Sequence, residues 1–210
     1  MIEQNYNHIQ ELICTAKTQY NRKNENISLL AVSKKQPLTA IKEAYNLGQV
    51  DFGENFVQEG VEKIKELNNK NINWHFIGHI QSNKTRLISE NFDWVHTVDR
   101  IKIAERLSKQ RPGHANKLNI CIQINVDDEK TKSGVDIKNV FDLCYAIDEL
   151  PNLNLRGLMC LPMTRSDHEQ QRQPFKVLKK LYEDLNKDCL LYTSDAADEG
   201  LGVDLGGRRI

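Results

Sequence analysis

Apolar residues recur at spacings of three and four through Ile2, Tyr6, Ile9, Ile13, Ala16 and Tyr20, which predicts an amphipathic helix at the start of the chain. The pattern then changes to short continuous apolar runs. Residues 28–33, 49–53, 74–78, 94–98, 118–125 and 153–161 each have the length and composition of a buried strand. Between them the helical spacing returns, over residues 38–47 behind Pro37, then 56–67 with Val57, Val61, Ile64 and Leu67 on one stripe. Residues 83–89, 100–109, 135–150 and 169–185 continue the series. Strand and helix alternating with short connections predict an α/β fold on a parallel sheet, because parallel neighbours need a crossover helix between them.

Two architectures satisfy that order, an open doubly wound sheet and a (β/α) barrel. No GxGxxG follows the first strand, which runs directly into Ser33, Lys34 and Lys35, so the backbone approach to a dinucleotide has no support. Polar or special residues instead end every strand: Lys34; Glu54 and Asn55; Gly78, Gln81 and Asn83; Asp99; Asn125; and residues 159–162. Strand ends that converge on one site are the mark of a barrel mouth. The expected fold is therefore a TIM-like (β/α) barrel, incomplete at about six of eight strands, with an added N-terminal helix.

Composition narrows the function classes. The chain has 210 residues and 24.2 kDa, with 29 Lys+Arg against 29 Asp+Glu, so no basic excess draws in a phosphate backbone and no nucleic-acid partner is expected. Hydrophobic residues at 39% are sufficient for a core, and no apolar run reaches the roughly 20 residues of a membrane span. The N-terminus lacks the basic and apolar regions of a signal peptide, which places the chain in the cytoplasm, soluble. Cys14, Cys121, Cys144, Cys160 and Cys189 form an odd set with no CxxC pair, so reduced, mostly buried thiols are expected, with neither a disulfide framework nor a zinc site.

Lys34 is the sharpest chemical candidate. Strand alternation puts Leu30, Val32 and Lys34 on one face and Ala31, Ser33 and Lys35 on the other, so one of the two adjacent lysines points inward. An amine at an apolar strand end loses hydration and its proton more readily, and a neutral amine is what condensation with an aldehyde requires. Two solvated lysines closing a strand are the plain alternative. His75 and His79 form HxxxH, but one lies on a strand and the other beyond it, which argues against a metal site. Gln81, Asn83 and Lys84 form either a polar wall or, with Ser82, a helix cap. Residues 132–134 read as a surface loop or a lid, Asp127, Asp128 and Glu129 as solvated charges, and Met159 as core.

Residues 29–34 (LLAVSK) resemble the first strand of the pyridoxal-phosphate homeostasis protein family. Further matches follow in that family's order: 52–59 (FGENFVQE), 74–84 (WHFIGHIQSNK), 93–99 (DWVHTVD), 123–125 (QIN) leading to 132–134 (KSG), and 155–159 (LRGLM). The resemblance covers about residues 5–188. It implies a barrel similar to one domain of alanine racemase, without the second domain that shapes the racemase's substrate site. It also implies pyridoxal 5'-phosphate (PLP) as cofactor, held as a Schiff base on Lys34 and faced by Asn55. The function implied is intracellular PLP homeostasis by a carrier without established turnover, so no catalytic and no metal-ligating residue is assigned. PLP-dependent apoenzymes are the further partners, and the chain is expected to be a monomer. A racemase-like PLP enzyme is the alternative, and a barrel for another phosphorylated metabolite is a third reading.

The resemblance stops at one point. The family continues with a seventh strand of the Ser-Met-Gly-Met-Ser-x-Asp type and an eighth ending in Arg-x-Gly-Thr, and neither pattern is present here. Residues 189–199 resemble translated library-adapter DNA, followed by a stretch with Gly200, Gly202, Gly206 and Gly207. The expected organisation is a partial PLP-binding barrel over 1–188 and a non-native tail over 189–210. Because the resemblance places the phosphate-holding groups on the missing strands, weak PLP binding is expected of this chain.

Overall fold

The computed structural model describes residues 1–127, 133–188 and 190–191. Helix α1 (Ile2–Gln19) leads into six strand–helix units. These are β1 (Ala31–Val32), α2 (Leu38–Asn46), β2 (Asp51–Glu54), α3 (Val57–Leu67), β3 (Asn73–Phe76), α4 (Thr85–Asn91) and β4 (Trp94–Val98). The rest are α5 (Ile101–Gln110), β5 (Leu118–Ile124), α6 (Val140–Asp148), β6 (Leu153–Cys160) and α7 (His168–Lys187). All six strands pair in parallel in the sequential order β1-β2-β3-β4-β5-β6, the order of a TIM-like (β/α) barrel, and among the described residues the sheet does not close.

The registers sort the side chains into two faces. Phe76, Val95, Ile120 and Leu155 stand in one row with Glu54, on the face that the helices cover. Phe76, Val95 and Ile120 are fully buried there with Phe52, Ile122 and Phe92, and Phe76 meets Phe92 edge-on at 5.4 Å between ring centroids. The opposite face carries a second row, Val32, Gly53, His75, Trp94, Asn119 and Asn154. Half of this row is polar (His75, Asn119 and Asn154), and at the β1 edge Val32 is 47% exposed.

Several elements differ from the sequence expectation for local reasons. Of residues 28–33 only Ala31 and Val32 pair, because β1 has a neighbour on one side alone among the described residues. Residues 135–150 are not one helix: Val135 bridges to Ile124, a 3-10 turn spans Ile137–Asn139, and α6 begins after it. Ser82 and Asn83 do not cap α4, which starts at Thr85 with the Thr85 hydroxyl donating back to the Ser82 carbonyl at 3.0 Å. Among the described residues no side chain of α1 is buried, since the helix packs outside the sheet against α2. Cys121, Cys144 and Cys160 are buried and outside any disulfide, and burial pushes Cys121 and Cys144 up to about 12, which holds both as inert thiols. Cys189 and residues 192–210 lie outside the described residues. Leu190 and Leu191, beyond the expected domain boundary, are buried in the core.

Truncating Phe76 to Ala removes a fully buried ring from the middle of the core. Urea unfolding of Phe76→Ala is expected to show a loss of about 3–5 kcal/mol.

Candidate functional site

The carboxyl ends of the strands surround a cavity of about 490 Å³. Its wall is made by Asn55 after β2, Gly78 and His79 after β3, Thr97 of β4, Gln123 and Asn125 at the end of β5, Ser133, and Leu161 after β6. That size lies in the range of small-ligand sites, and the wall mixes apolar surface with a few amides and hydroxyls.

Asn55 enters this wall because Gly78 lets the chain come close. A Cβ at residue 78 would sit against the Asn55 carbonyl oxygen, and 2.8 and 2.9 Å from the Asn55 carbonyl carbon and Cα. The third-strand glycine is thus fixed by backbone contact. The Ile77 N–H donates to the Glu54 carbonyl at 2.9 Å, and the Thr97 hydroxyl to the Gly78 carbonyl at 2.6 Å, which ties the three loops together. The Asn55 Oδ1 atom is buried and has no hydrogen-bond partner among the described residues. A buried amide oxygen of this kind costs about 1–3 kcal/mol unless a donor reaches it. Elsewhere on the wall His79 Nδ1 lies 3.1 Å from Ser133 Oγ, and Gln123 Nε2 donates to the Ser133 carbonyl at 3.2 Å.

Lys34 follows β1 at the carboxyl end of the sheet. It is exposed, and the cavity wall does not include it. The dehydration expected of its amine is therefore not seen; Val32 before it is also open, and among the described residues β1 has a neighbouring strand on one side alone. The Lys34 backbone, in contrast, is tightly held. The Gln36 N–H closes a reverse turn onto the Ser33 carbonyl at 3.0 Å, with Lys35 third in the turn at φ 59°. A left-handed lysine is uncommon, since Gly or Asn ordinarily takes that position. Behind the turn lies a buried charge cluster. Lys63 Nζ of α3 donates to Glu54 Oε1 and Glu59 Oε1, both at 2.7 Å, and to the Ser33 carbonyl at 2.6 Å. Burial raises the Glu54 carboxyl above its ordinary range, against the hydrogen bonds from Lys63 and Ser33 that lower it. Burial also pushes Glu59 upward, but its bonds from Lys63 and the Lys35 N–H win and hold it low.

The two histidines of HxxxH part company. His75 faces Asp51 at 3.2 Å and His96 at 2.8 Å, and stacks on Trp94 with ring centroids 5.4 Å apart. His79 turns to Ser133 instead. Burial, followed by the neighbouring His75, lowers His96 to about 3, so the His96 ring is neutral near pH 7. Asp127 is not a solvated charge. Its carboxylate is 4% exposed, pairs with Arg165 and accepts the Met163 N–H at 2.6 Å. Asp128, Glu129 and Lys132 lie outside the described residues, and with them the lid or loop alternative for 132–134.

Sequence reasoning missed Asp51, Glu59, Lys63 and His96. The i,i+4 spacing of Glu59 and Lys63 was a visible cue to a helical ion pair, although not to its burial. Asp51 and His96 carried a period-2 cue, sharing a strand face with Gly53 and Trp94 respectively.

The alanine racemase N-terminal domain family matches residues 2–196. The chain is 48% identical over 206 residues to the pyridoxal phosphate homeostasis protein of Haemophilus influenzae, covering 97% of this chain and 87% of that one. It is 48% identical over 183 residues to the protein of the same name from Escherichia coli K12, covering 86% and 77%. Among solved structures, PipY of Synechococcus elongatus with PLP bound superposes with a TM-score of 0.71 at 32% identity, over 79% of this chain and 77% of that one.

Two measurements check the site's geometry. Gly78→Ala forces a Cβ into the Asn55 backbone and is expected to cost about 1–3 kcal/mol in urea unfolding. His96 binds its proton less well folded than unfolded, so its contribution is complete above its ordinary 6.5 and is lost as pH falls toward about 3. Unfolding titrations from pH 7 to pH 5 are expected to show His96→Gln losing less stability than the parent, by about 1 kcal/mol per pH unit below 6.5.

Proposed function

This chain belongs to the alanine racemase N-terminal domain family, and from that membership and the geometry of the strand ends we propose that it binds pyridoxal 5'-phosphate and serves in PLP homeostasis. The observation that carries the reading is the buried, unpartnered Asn55 Oδ1 on the cavity wall. The cofactor has a hydroxyl and a protonatable ring nitrogen, either of which supplies the donor that this oxygen lacks. The cavity's volume of about 490 Å³ also suits a single substituted ring. The names of the relatives from Haemophilus influenzae and Escherichia coli, and PLP in the PipY structure, support the same reading.

When bound, PLP supplies an aldehyde that condenses with a primary amine, and an aromatic ring that draws electrons from it. Lys34 is the proposed partner of that aldehyde as a Schiff base, and Asn55 the proposed contact to the ring. An exposed amine at the carboxyl end of the sheet is open to an arriving aldehyde, and the cavity wall at the same end of the strands supplies amides and hydroxyls to hold the rest of the molecule. The proposed binding unit is residues 1–188, against which Leu190 and Leu191 pack in the core.

We read the chain as a carrier without turnover. Amino-acid racemisation needs a second acid–base group placed across the cofactor. Of the described cavity wall only His79 and Asp127 are ionisable; His79 Nδ1 lies 3.1 Å from the Ser133 hydroxyl, and Asp127 is held by Arg165 and the Met163 N–H. A cytoplasmic monomer that delivers PLP to apoenzymes fits this reading. Among the described residues no helix is long and apolar enough to cross a membrane.

Titrating the purified chain with PLP, reducing with borohydride and mapping the adduct by mass spectrometry tests the assignment. The adduct is expected on Lys34 and is expected to vanish in Lys34→Ala. Asn55→Ala is expected to weaken binding by about tenfold, the equivalent of one hydrogen bond of roughly 1.4 kcal/mol. A folded chain with no adduct, or one spread evenly over its lysines, overturns the proposal.

A further inference from the structure

We propose that Lys63 is a positioning residue for the Lys34 amine, one buried ammonium holding the backbone on both sides of the lysine that the reading above assigns to the PLP aldehyde. The inference rests on that reading for its chemistry, and on contacts within this chain for its geometry.

Lys63 projects from α3 and is 8% exposed. An ammonium has three N–H donors, and all three are used: on the Ser33 carbonyl at 2.6 Å, and on Glu54 Oε1 and Glu59 Oε1 at 2.7 Å each. Each of these acceptors also holds the turn. Glu54 Oε1 accepts the Ser33 hydroxyl at 2.7 Å. Glu59 Oε1 accepts the Lys35 N–H at 2.5 Å. The Ser33 N–H is in turn spent on the Gly53 carbonyl at 2.9 Å. Ser33 and Lys35 are thus fixed through a single charge, and Lys34 is the residue between them.

The turn needs that fixing. Lys35 sits at φ 59°, a conformation that a long side chain adopts reluctantly and keeps only where its surroundings over-determine it. Glu59 bonding the Lys35 N–H, with Lys63 bonding Glu59, is that over-determination. The cluster lies on the helix-covered side of the sheet, on the face of Glu54 and Ser33, while Lys34, second in the turn, is exposed. An exposed amine on a fixed backbone keeps fewer placements to lose when it reacts. The condensation itself is balanced within the two partners. The neutral amine attacks the aldehyde carbon, the C=N bond forms, and both amine hydrogens leave with the carbonyl oxygen as water.

The test compares the parent chain with Lys63→Met, Glu59→Ala and Glu59→Gln, following hydrogen exchange at the Lys35 amide and the rate of borohydride trapping of added PLP on Lys34. Glu59 is a part-exposed carboxylate, so its variants judge the proposal if Lys63→Met does not fold. Lys63→Met and Glu59→Ala are expected to speed Lys35 exchange and to slow Lys34 trapping about tenfold, with circular dichroism unchanged in Glu59→Ala. Glu59→Gln keeps an acceptor for the Lys35 N–H and is expected to restore trapping to within about threefold of the parent. Folded variants that trap PLP on Lys34 at the parent's rate overturn the proposal, as does Glu59→Gln failing like Glu59→Ala. If the parent itself gives no Lys34 adduct, the PLP reading falls, and Lys35 exchange alone then decides whether the clamp exists.

Discussion

Parallel pairing is the constraint on which this molecule depends. Each crossover helix returns the chain to the same edge, so all six strands present their carboxyl ends together, and register then divides the residues between two environments. On the covered face the row Glu54, Phe76, Val95, Ile120 and Leu155 must satisfy the helices above it. On the other face the row Val32, Gly53, His75, Trp94, Asn119 and Asn154 is free of that demand. A shift of one residue in any strand would exchange the rows, bringing His75 under the helices and Phe76 onto the opposite face.

Within the covered row Glu54 is the exception, a fully buried carboxylate among aromatic and aliphatic side chains. Burying a single charge is costly, and breaking a buried pair by removing one partner loses about 3–5 kcal/mol. Lys63 and the Ser33 hydroxyl offset that cost by bonding the same oxygen, Glu54 Oε1. The arrangement is hard to justify by stability alone, since apolar residues of similar volume often serve as well. What charge adds here is direction. The donors and acceptors meet only when the turn after β1 has one conformation, and an aliphatic cluster would tolerate several.

Much of the fold was legible because its signal is local. The apolar run of 94–98 is β4 residue for residue, and the stripe Val57, Val61, Ile64 and Leu67 is the packed side of α3. Burial of charge was not legible. Lys63 reads as one more polar residue on an amphipathic helix with Glu59 one turn away, and only the tertiary approach of β1 and β2 adds the Ser33 carbonyl and Glu54 as acceptors. Asp127 failed in the opposite sense: in sequence it opens an acidic loop, yet Arg165, far along the chain, folds back to cover it. Lys34 was found through its strand and its resemblance, but strand alternation does not reveal its exposure in the turn after β1.

The two sides of β1 therefore impose different demands on consecutive residues. Ser33 faces a largely buried, charged cluster in which the Ser33 hydroxyl and the Lys63 ammonium find acceptors, and it moves only if the cluster moves. Lys34 faces open space, where a long side chain keeps most of its rotamers and its hydration. A reactive amine buried as deeply as Ser33 would meet no aldehyde, and one on an unrestrained loop would spread its reactivity over many positions. The turn after β1 reconciles the two within one peptide unit, because rigidity enters through Ser33 and Lys35 while Lys34 between them stays exposed. The left-handed Lys35 is where that reconciliation is strained: the chain must leave the strand at once to begin α2, and Glu59 holds the turn that permits it.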